Sequence, residues 1–449
     1  MERFQLKENG SDVKKEVIGG ITTFLTMAYI IAVNANILGA TGMNVGAIVT
    51  VTCLTAGFTT IAMGLYANLP FALASGMGLN AFFAFSVVIG MKVPWQVALA
   101  AVFLEGIIFI ILSLTNVREA VVNSIPLTLK LAVTAGIGLF IAFIGLVDAG
   151  IIVSNDATKV AMGTFKSPAV LITVLGVIVI VVLSKKKVRG AILWGIIASA
   201  GAAWIYAMIA PITAATYGIA TPKGIFKLES ISPIAGKLDF SYLTDSSRIL
   251  DFLIIMLTFL FVDFFDTVGT LVGVASKVGM IDKDGKVKNA GKALLVDAVG
   301  TTVGAFLGTS TVTTYVESSA GVAEGARTGL ASVVTGILFL IAMFFSPLFI
   351  AIPSCATAPA LIIVGFFMIG GITKIDFNDF TEGVPAFLTI IMMPLTYSIG
   401  DGLTIGLLSY AVLNGINNLF TKDHTKRKKV SIVIYILAII FILKLYFTG

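Results

Sequence analysis

Two carboxylates stand three residues apart in an apolar run, Phe-Val-Asp-Phe-Phe-Asp-Thr-Val-Gly-Thr-Leu at 261–271. If the run is helical, Asp263 and Asp266 share one face. Such a pair could accept hydrogen bonds from a polar substrate and carry a proton. It could equally bond a neighbouring helix. Asp266, beside Thr267, Gly269 and Thr270, is read as functional; for Asp263 both roles stand. A third carboxylate, Glu317, lies in Thr-Ser-Thr-Val-Thr-Thr-Tyr-Val-Glu-Ser-Ser-Ala-Gly-Val (309–322), where a β-branched stretch should turn into a short helix at Glu317-Ser318. Backbone N–H groups are unpaired at a helix start and the dipole is positive there, which suits a carboxylate or a polar ligand. Tyr315, two residues earlier, is placed to stack on a planar substrate.

A similar interrupted stretch runs Leu-Pro-Phe-Ala-Leu-Ala-Ser-Gly-Met-Gly-Leu-Asn-Ala-Phe-Phe-Ala-Phe at 69–85. Asn80 offers both a donor and an acceptor, for a heterocycle edge or for another helix. Gly76 and Gly78 would let a ligand approach the backbone. Glu324 and Arg327, three apart, read as a local ion pair, and Asp297 as a lysine partner or a helix cap. Glu105 is left unassigned. Interrupted spans in corresponding halves point to a transporter site at an inverted-repeat interface.

The elements that position these residues must be membrane spans. Of 449 residues, 57% are hydrophobic and 12% charged, and the mean hydropathy is +1.03. Soluble domains carry about 25% charged residues. A soluble enzyme, a nucleic-acid-binding domain and a secreted disulfide scaffold are excluded; the net charge of +6 fits basic cytoplasmic loops rather than nucleic acid. Cys53 and Cys355 form no metal motif, and the one histidine, His424, sits in a basic loop. Walker A, GxSxG and HExxH motifs are missing.

Fourteen candidate spans are read at about 17–37, 45–66, 71–89, 95–115, 127–148, 168–184, 190–210, 250–275, 291–308, 312–326, 328–350, 357–372, 382–399 and 402–420. A further apolar stretch, 431–447, could span or lie along the surface. Basic clusters at Lys185–Arg189, Lys277–Lys292 and Lys422–Lys429 all follow even-numbered spans. The positive-inside rule then places residues 1–16, which lack a signal-peptide apolar core, in the cytoplasm. The polar stretch 211–249 falls outside as a connector between the halves, with room for short strands. Thr59-Thr60 and Thr301-Thr302 precede the two interrupted spans at an offset of 242 (301 − 59), which pairs Ser75 with Glu317. Thr23-Phe24-Leu25 echoes Thr258-Phe259-Leu260, and Ile125-Pro126 echoes Ile352-Pro353. The order of these matches argues for a repeat of seven spans.

The four segments 19–30, 74–83, 261–271 and 309–322 resemble the bacterial adenine/guanine/hypoxanthine permeases, the AzgA-like branch of the nucleobase:cation symporter-2 superfamily, related to uracil and xanthine permeases. The resemblance runs from about residue 3 to 420. It implies an all-α membrane fold of two inverted seven-span repeats, with short strands and half-helices in spans 3 and 10. Residues 17–115 and 250–350 would form a core domain, 116–210 and 351–420 a gate domain, and 421–449 a basic loop with the extra apolar segment. It implies proton-coupled purine uptake across a bacterial-type plasma membrane, with no cofactor beyond the coupling proton. By motif match the base is held by Asp266 and Glu317, with Tyr315, Asn80, Ser75, Gly76, Thr270 and Ser318 around it. Glu317, Asp266 and Asp263 are expected to couple the proton. Where the uracil branch has a histidine one turn after the span-eight carboxylate, this chain has Thr270, so coupling rests on carboxylates. The expected partners are a purine nucleobase and the lipid bilayer, with no nucleic acid; a homodimer is compatible. A carboxylate that takes up a proton moves as a neutral group, so proton and base would travel together. The alternatives are an anion exchanger or sulfate carrier on the same fold, a channel, and a membrane enzyme.

Overall fold

The computed structural model describes residues 2–114, 126–277 and 289–421, together with Lys428 and parts of 430–442. Within the helix Ile249–Lys277 the side chains of 264–266, 268, 269 and 271–277 lie outside the described ones. Nine helices among the described residues are long and apolar enough to cross a membrane, and the chain is a multi-pass membrane protein.

Each expected span has its counterpart. Span 1 is Val13–Met27 followed by Ile30–Gly39. Thr26 turns its hydroxyl back onto the carbonyls of Thr22 and Thr23, at 3.0 and 2.8 Å, just before the interruption at Ala28-Tyr29. Such back-bonding competes with the helix ladder. Span 2 is Val45–Ala62, widened over Met63–Ala67. Span 3 is a strand, β1 (Leu73–Ser75), then Met77–Ala81 and a wide helix Phe82–Gly90. Spans 4 to 7 are Trp95–Leu114, Leu127–Asp148, Pro168–Lys185 and Ala191–Ile209. Spans 8 and 9 are Ile249–Lys277 and Ala290–Leu307. Span 10 is a strand, β4 (Val312–Thr314), then the short helix Ser318–Ala323. Spans 11 to 14 are Gly329–Ala342, Ser354–Ile369, Phe380–Thr396 and Ile399–Phe420.

Two packed sets emerge. Span 11 lies against spans 1 and 2, and spans 8 and 9 lie against span 4. Span 5 lies against spans 12 and 13, and spans 6 and 7 pack on span 12. Small residues allow the closest approaches. A Cβ on Gly329 would come within 1.9 Å of the Gly64 carbonyl oxygen, so spans 2 and 11 meet backbone to backbone. Glu16 joins spans 1 and 11 differently. It is fully buried, and its oxygens accept the N–H groups of Arg327, Thr328 and Ala331 at 2.8, 3.1 and 3.1 Å. A carboxylate borrowed from span 1 thus caps span 11.

The strands expected in the connector lie elsewhere. A hairpin of β2 (Ile152–Asn155) and β3 (Lys159–Met162) follows span 5, turned by Asn155, whose Oδ1 accepts from Ala157 and Thr158. An Asx turn of this kind needs no apolar pattern. The connector holds the short helices Pro211–Thr216 and Ser241–Thr244 and a single bridge from Lys227 to Phe345. In the C-terminal stretch, Ile434, Leu437 and Ala438 are buried in the main apolar cluster.

Candidate functional site

β1 and β4 pair antiparallel, with Leu73 opposite Thr314, Ala74 opposite Thr313 and Ser75 opposite Val312. The N–H of Gly76 to Thr311 at 3.0 Å and that of Tyr315 to Ala72 at 2.9 Å extend the ladder at both ends. Every residue of both strands is buried. Backbone polar groups at membrane depth must be satisfied by protein, and two interrupted spans do this for each other. A short helix leaves each strand, opened by Gly76 in span 3 and by Glu317 in span 10.

This arrangement corrects the register of the repeat. The opening residues are Gly76 and Glu317, at an offset of 241 (317 − 76), and the last strand residues are Ser75 and Thr314. Ser75 is therefore the counterpart of Thr314, not of Glu317. A doubled threonine in both halves hid a slip of one residue at the helix-opening positions, and the strands themselves are offset by 239 (314 − 75).

The Glu317 carboxylate is bound by a group from span 1. The hydroxyl of Tyr29 donates to Glu317 Oε1 at 2.5 Å, and Thr26 Oγ1 lies 3.5 Å from the Glu317 carbonyl. Tyr315, at the end of β4, donates its hydroxyl to the Ser75 carbonyl. Ser318 Oγ accepts the N–H of Ala72 at 3.0 Å, so it ties span 10 to the chain entering β1. Ser75 donates to Asn80 Oδ1 at 2.7 Å and lies 3.1 Å from Thr309 Oγ1, which in turn accepts from Asn34 at 3.3 Å. Asn80 is fully buried, and its amide nitrogen has no hydrogen-bond partner among the described residues. A buried donor left unfilled by the described residues is the kind of group a polar ligand can satisfy.

Span 8 brings Asp263, Thr267 and Thr270, all buried, to the other side of β4. The side chain of Asp266 lies outside the described residues. Thr267 donates within 3.0 Å of Asp297 Oδ2, and its oxygen lies 2.9 Å from Thr313 Oγ1 and 3.5 Å from Asp263 Oδ1. Glu105 of span 4 lies against Asp263 and faces Asp297. Asp297 lies inside span 9, whose N-cap is Asn289, so it is not the cap of that span; it accepts from Thr267. It is one of three fully buried carboxylates, from spans 4, 8 and 9, behind the strand crossing. Sequence spacing could not assemble them, because each stands alone on its own helix.

The expected Glu324–Arg327 pair is also replaced. Glu324 takes a bidentate bond from Arg189, its Oε1 at 2.7 Å from Nε and its Oε2 bound by Nη2. Arg327 instead donates to the carbonyls of Val322 and Ala326 at 2.6 and 2.7 Å. The Arg189–Glu324 bond runs from the loop between spans 6 and 7 to the end of the span-10 helix. The related junction between spans 13 and 14 meets span 3. There Tyr397, in the left-handed region at φ 57°, sets its ring 5.8, 5.5 and 5.8 Å from those of Phe85, Phe140 and Phe143. Its carbonyl accepts from Ser86 at 3.0 Å.

The chain matches the model of the permease family over residues 14–405. It is 47% identical to the guanine/hypoxanthine permease PbuG of Bacillus subtilis (strain 168), covering 99% of each chain. It is 44% identical to the adenine permease AdeQ of Escherichia coli (strain K12), over 91% of this chain and 89% of that one. Among solved structures, the transmembrane domain of the cyanobacterium bicarbonate transporter BicA superposes with a TM-score of 0.65 at 15% identity, covering 88% of this chain and 97% of that one. Murine Slc26a9, an anion transporter in the inward-facing state, gives a TM-score of 0.63 at 10% identity, over 90% of this chain and 69% of that one. At these identities the two structures share the fold, an inverted-repeat transporter fold, and nothing finer. With the family matched over nearly the whole chain and relatives aligned from end to end, the chain belongs to the permease family and is a transporter, not an enzyme.

Proposed function

We propose that the chain is a proton-coupled importer of purine nucleobases, of the adenine, guanine and hypoxanthine class. The observation that carries this reading is Glu317, the carboxylate that opens the span-10 helix, with one oxygen held by Tyr29; Ser75, whose carbonyl takes the Tyr315 hydroxyl, bonds Asn80, whose amide nitrogen has no partner among the described residues. A purine edge presents N–H donors beside carbonyl or ring-nitrogen acceptors, and this pair of groups answers both. The names of the end-to-end relatives agree with it. An anion carrier shares the fold, but an anion here would face Glu317, with Glu105, Asp263 and Asp297 behind the strands. The carboxylate-rich surroundings favour a neutral base moving with a proton.

Spans 1–4 and 8–11 act as the core that carries the site, and spans 5–7 and 12–14 as the gate. The Arg189–Glu324 bond and the Tyr397 aromatic contact join the two sets through the span 6–7 and span 13–14 junctions. The ends bearing the basic clusters face the cytoplasm of a bacterial-type plasma membrane, with residues 1–16 on that side. Asp266 and Thr270 line the base from span 8. No cofactor is used beyond the proton, and a homodimer fits the reading. The test is uptake of radiolabelled hypoxanthine into proteoliposomes, with and without an inward proton gradient, competed by adenine, guanine, uracil and sulfate. Competition by purines and not by sulfate supports the proposal; competition by sulfate alone refutes it.

A further inference from the structure

We infer that Tyr29 is the positioning residue of the Glu317 carboxylate, fixing through its phenol how that carboxylate meets the base. This rests on the nucleobase reading above and deepens it. Tyr29 is fully buried, and a buried phenol must find a partner for its O–H. Among the described residues it is the side chain that donates to Glu317, at 2.5 Å. Hydrogen bonds to an ionised acceptor are the short and directional ones.

The position of Tyr29 in the chain gives the bond its consequence. Tyr29 stands in the interruption of span 1, between Val13–Met27 and Ile30–Gly39. One turn earlier, Thr26 lies 3.5 Å from the Glu317 carbonyl. The residue that opens the span-10 helix is therefore held at its side chain and approached at its backbone by one turn of span 1. A carboxylate has about four lone-pair sites on two oxygens. Tyr29 occupies one site on Oε1, which fixes the rotation of the group and aims the remaining sites. Span 1 thereby enters the binding site through Glu317.

The test compares wild type, Tyr29→Phe, Glu317→Asp and the double variant, using hypoxanthine uptake in proteoliposomes and equilibrium binding to purified protein. Phenylalanine keeps the buried ring and removes the hydroxyl alone. Tyr29→Phe is expected to raise KM and Kd about tenfold, the scale of a lost hydrogen bond to a charged group, with Vmax changed less than about twofold. In Glu317→Asp the shortened carboxylate no longer reaches the phenol, so adding Tyr29→Phe should change Kd by less than about twofold. Three outcomes overturn the role: an unchanged KM and Kd in Tyr29→Phe, the same tenfold loss in the Glu317→Asp background, or failure of Tyr29→Phe to fold in a melting assay. Absence of uptake of any purine by folded wild-type protein refutes the nucleobase reading itself, and this inference with it.

Discussion

Thr60 and Thr301 hold the two crossing strands in the same way. Each hydroxyl donates to the carbonyl of one strand residue and accepts that residue's own N–H: Thr60 with Leu73 at 3.0 and 2.9 Å, Thr301 with Val312 at 3.0 and 3.1 Å. Both threonines are fully buried. Each strand is thus fastened to the span before it, and the offset of 241 (301 − 60) repeats that of the helix-opening residues. Thr60→Val or Thr301→Val would keep the shape and leave a strand N–H and carbonyl without this partner. Each should lower stability by about 1–3 kcal/mol. Melting in detergent checks this; a shift in one variant and none in the other would break the equivalence.

Gly329→Ala should be among the more damaging small substitutions outside the site. Its Cβ would lie 1.9 Å from the Gly64 carbonyl oxygen, and backbone cannot yield as a side-chain tip can. Overpacking of this kind costs about 1–3 kcal/mol, and more where backbone must move. Gly291→Ala meets open space and serves as the control. Equal melting temperatures for the two variants would contradict the close contact of spans 2 and 11.

The Arg189–Glu324 bond should matter for transport more than for stability. Its side chains are 53% and 25% exposed, and pairs of that kind contribute about 0–1 kcal/mol. Arg189→Glu places two carboxylates together where the two packed sets of spans meet, and uptake should slow severalfold with little change in melting. The exchanged pair Arg189→Glu with Glu324→Arg should recover most of the rate. A swap no faster than the single reversal would argue against the link.

Acid should loosen the C-terminal stretch. Lys428 Nζ lies 2.5 Å from Asp379 Oδ2, 2.8 Å from Thr381 and 3.0 Å from Glu382. The Lys428 side-chain hydrogen bond holds the Asp379 carboxyl below its ordinary value. A depressed carboxyl contributes stability that is present above its unfolded value of about 4 and is lost as the pH falls through the lower native value. Lys428→Ala should remove that acid limb. Melting curves between about pH 2 and 6 read it, and identical acid limbs in both proteins would contradict the clamp.

Much of this was legible in the residues. Each of the fourteen expected segments has an element, and among the described residues nine are helices long and apolar enough to cross a membrane. The Pro-led and β-branched stretches found both interruptions, and the isolation of Glu317 found the residue that opens the span-10 helix. What stayed hidden depends on contacts between helices. Nothing in the local spacing sets Tyr29 apart, because its partner is in the other repeat. Glu16 looked like part of a charged N-terminus, although it caps span 11. Glu324 had a cation three residues away and chose Arg189. Local spacing offers the nearest partner, and packing decides among the distant ones.

The central claim is that Glu317 joins base binding to proton movement. It is tested most directly by accumulation of radiolabelled hypoxanthine in proteoliposomes under an inward proton gradient, comparing wild type with Glu317→Gln. The account predicts accumulation above equilibrium for wild type, its collapse when the gradient is dissipated, and no concentrative uptake by Glu317→Gln. Full gradient-driven accumulation by Glu317→Gln would contradict it.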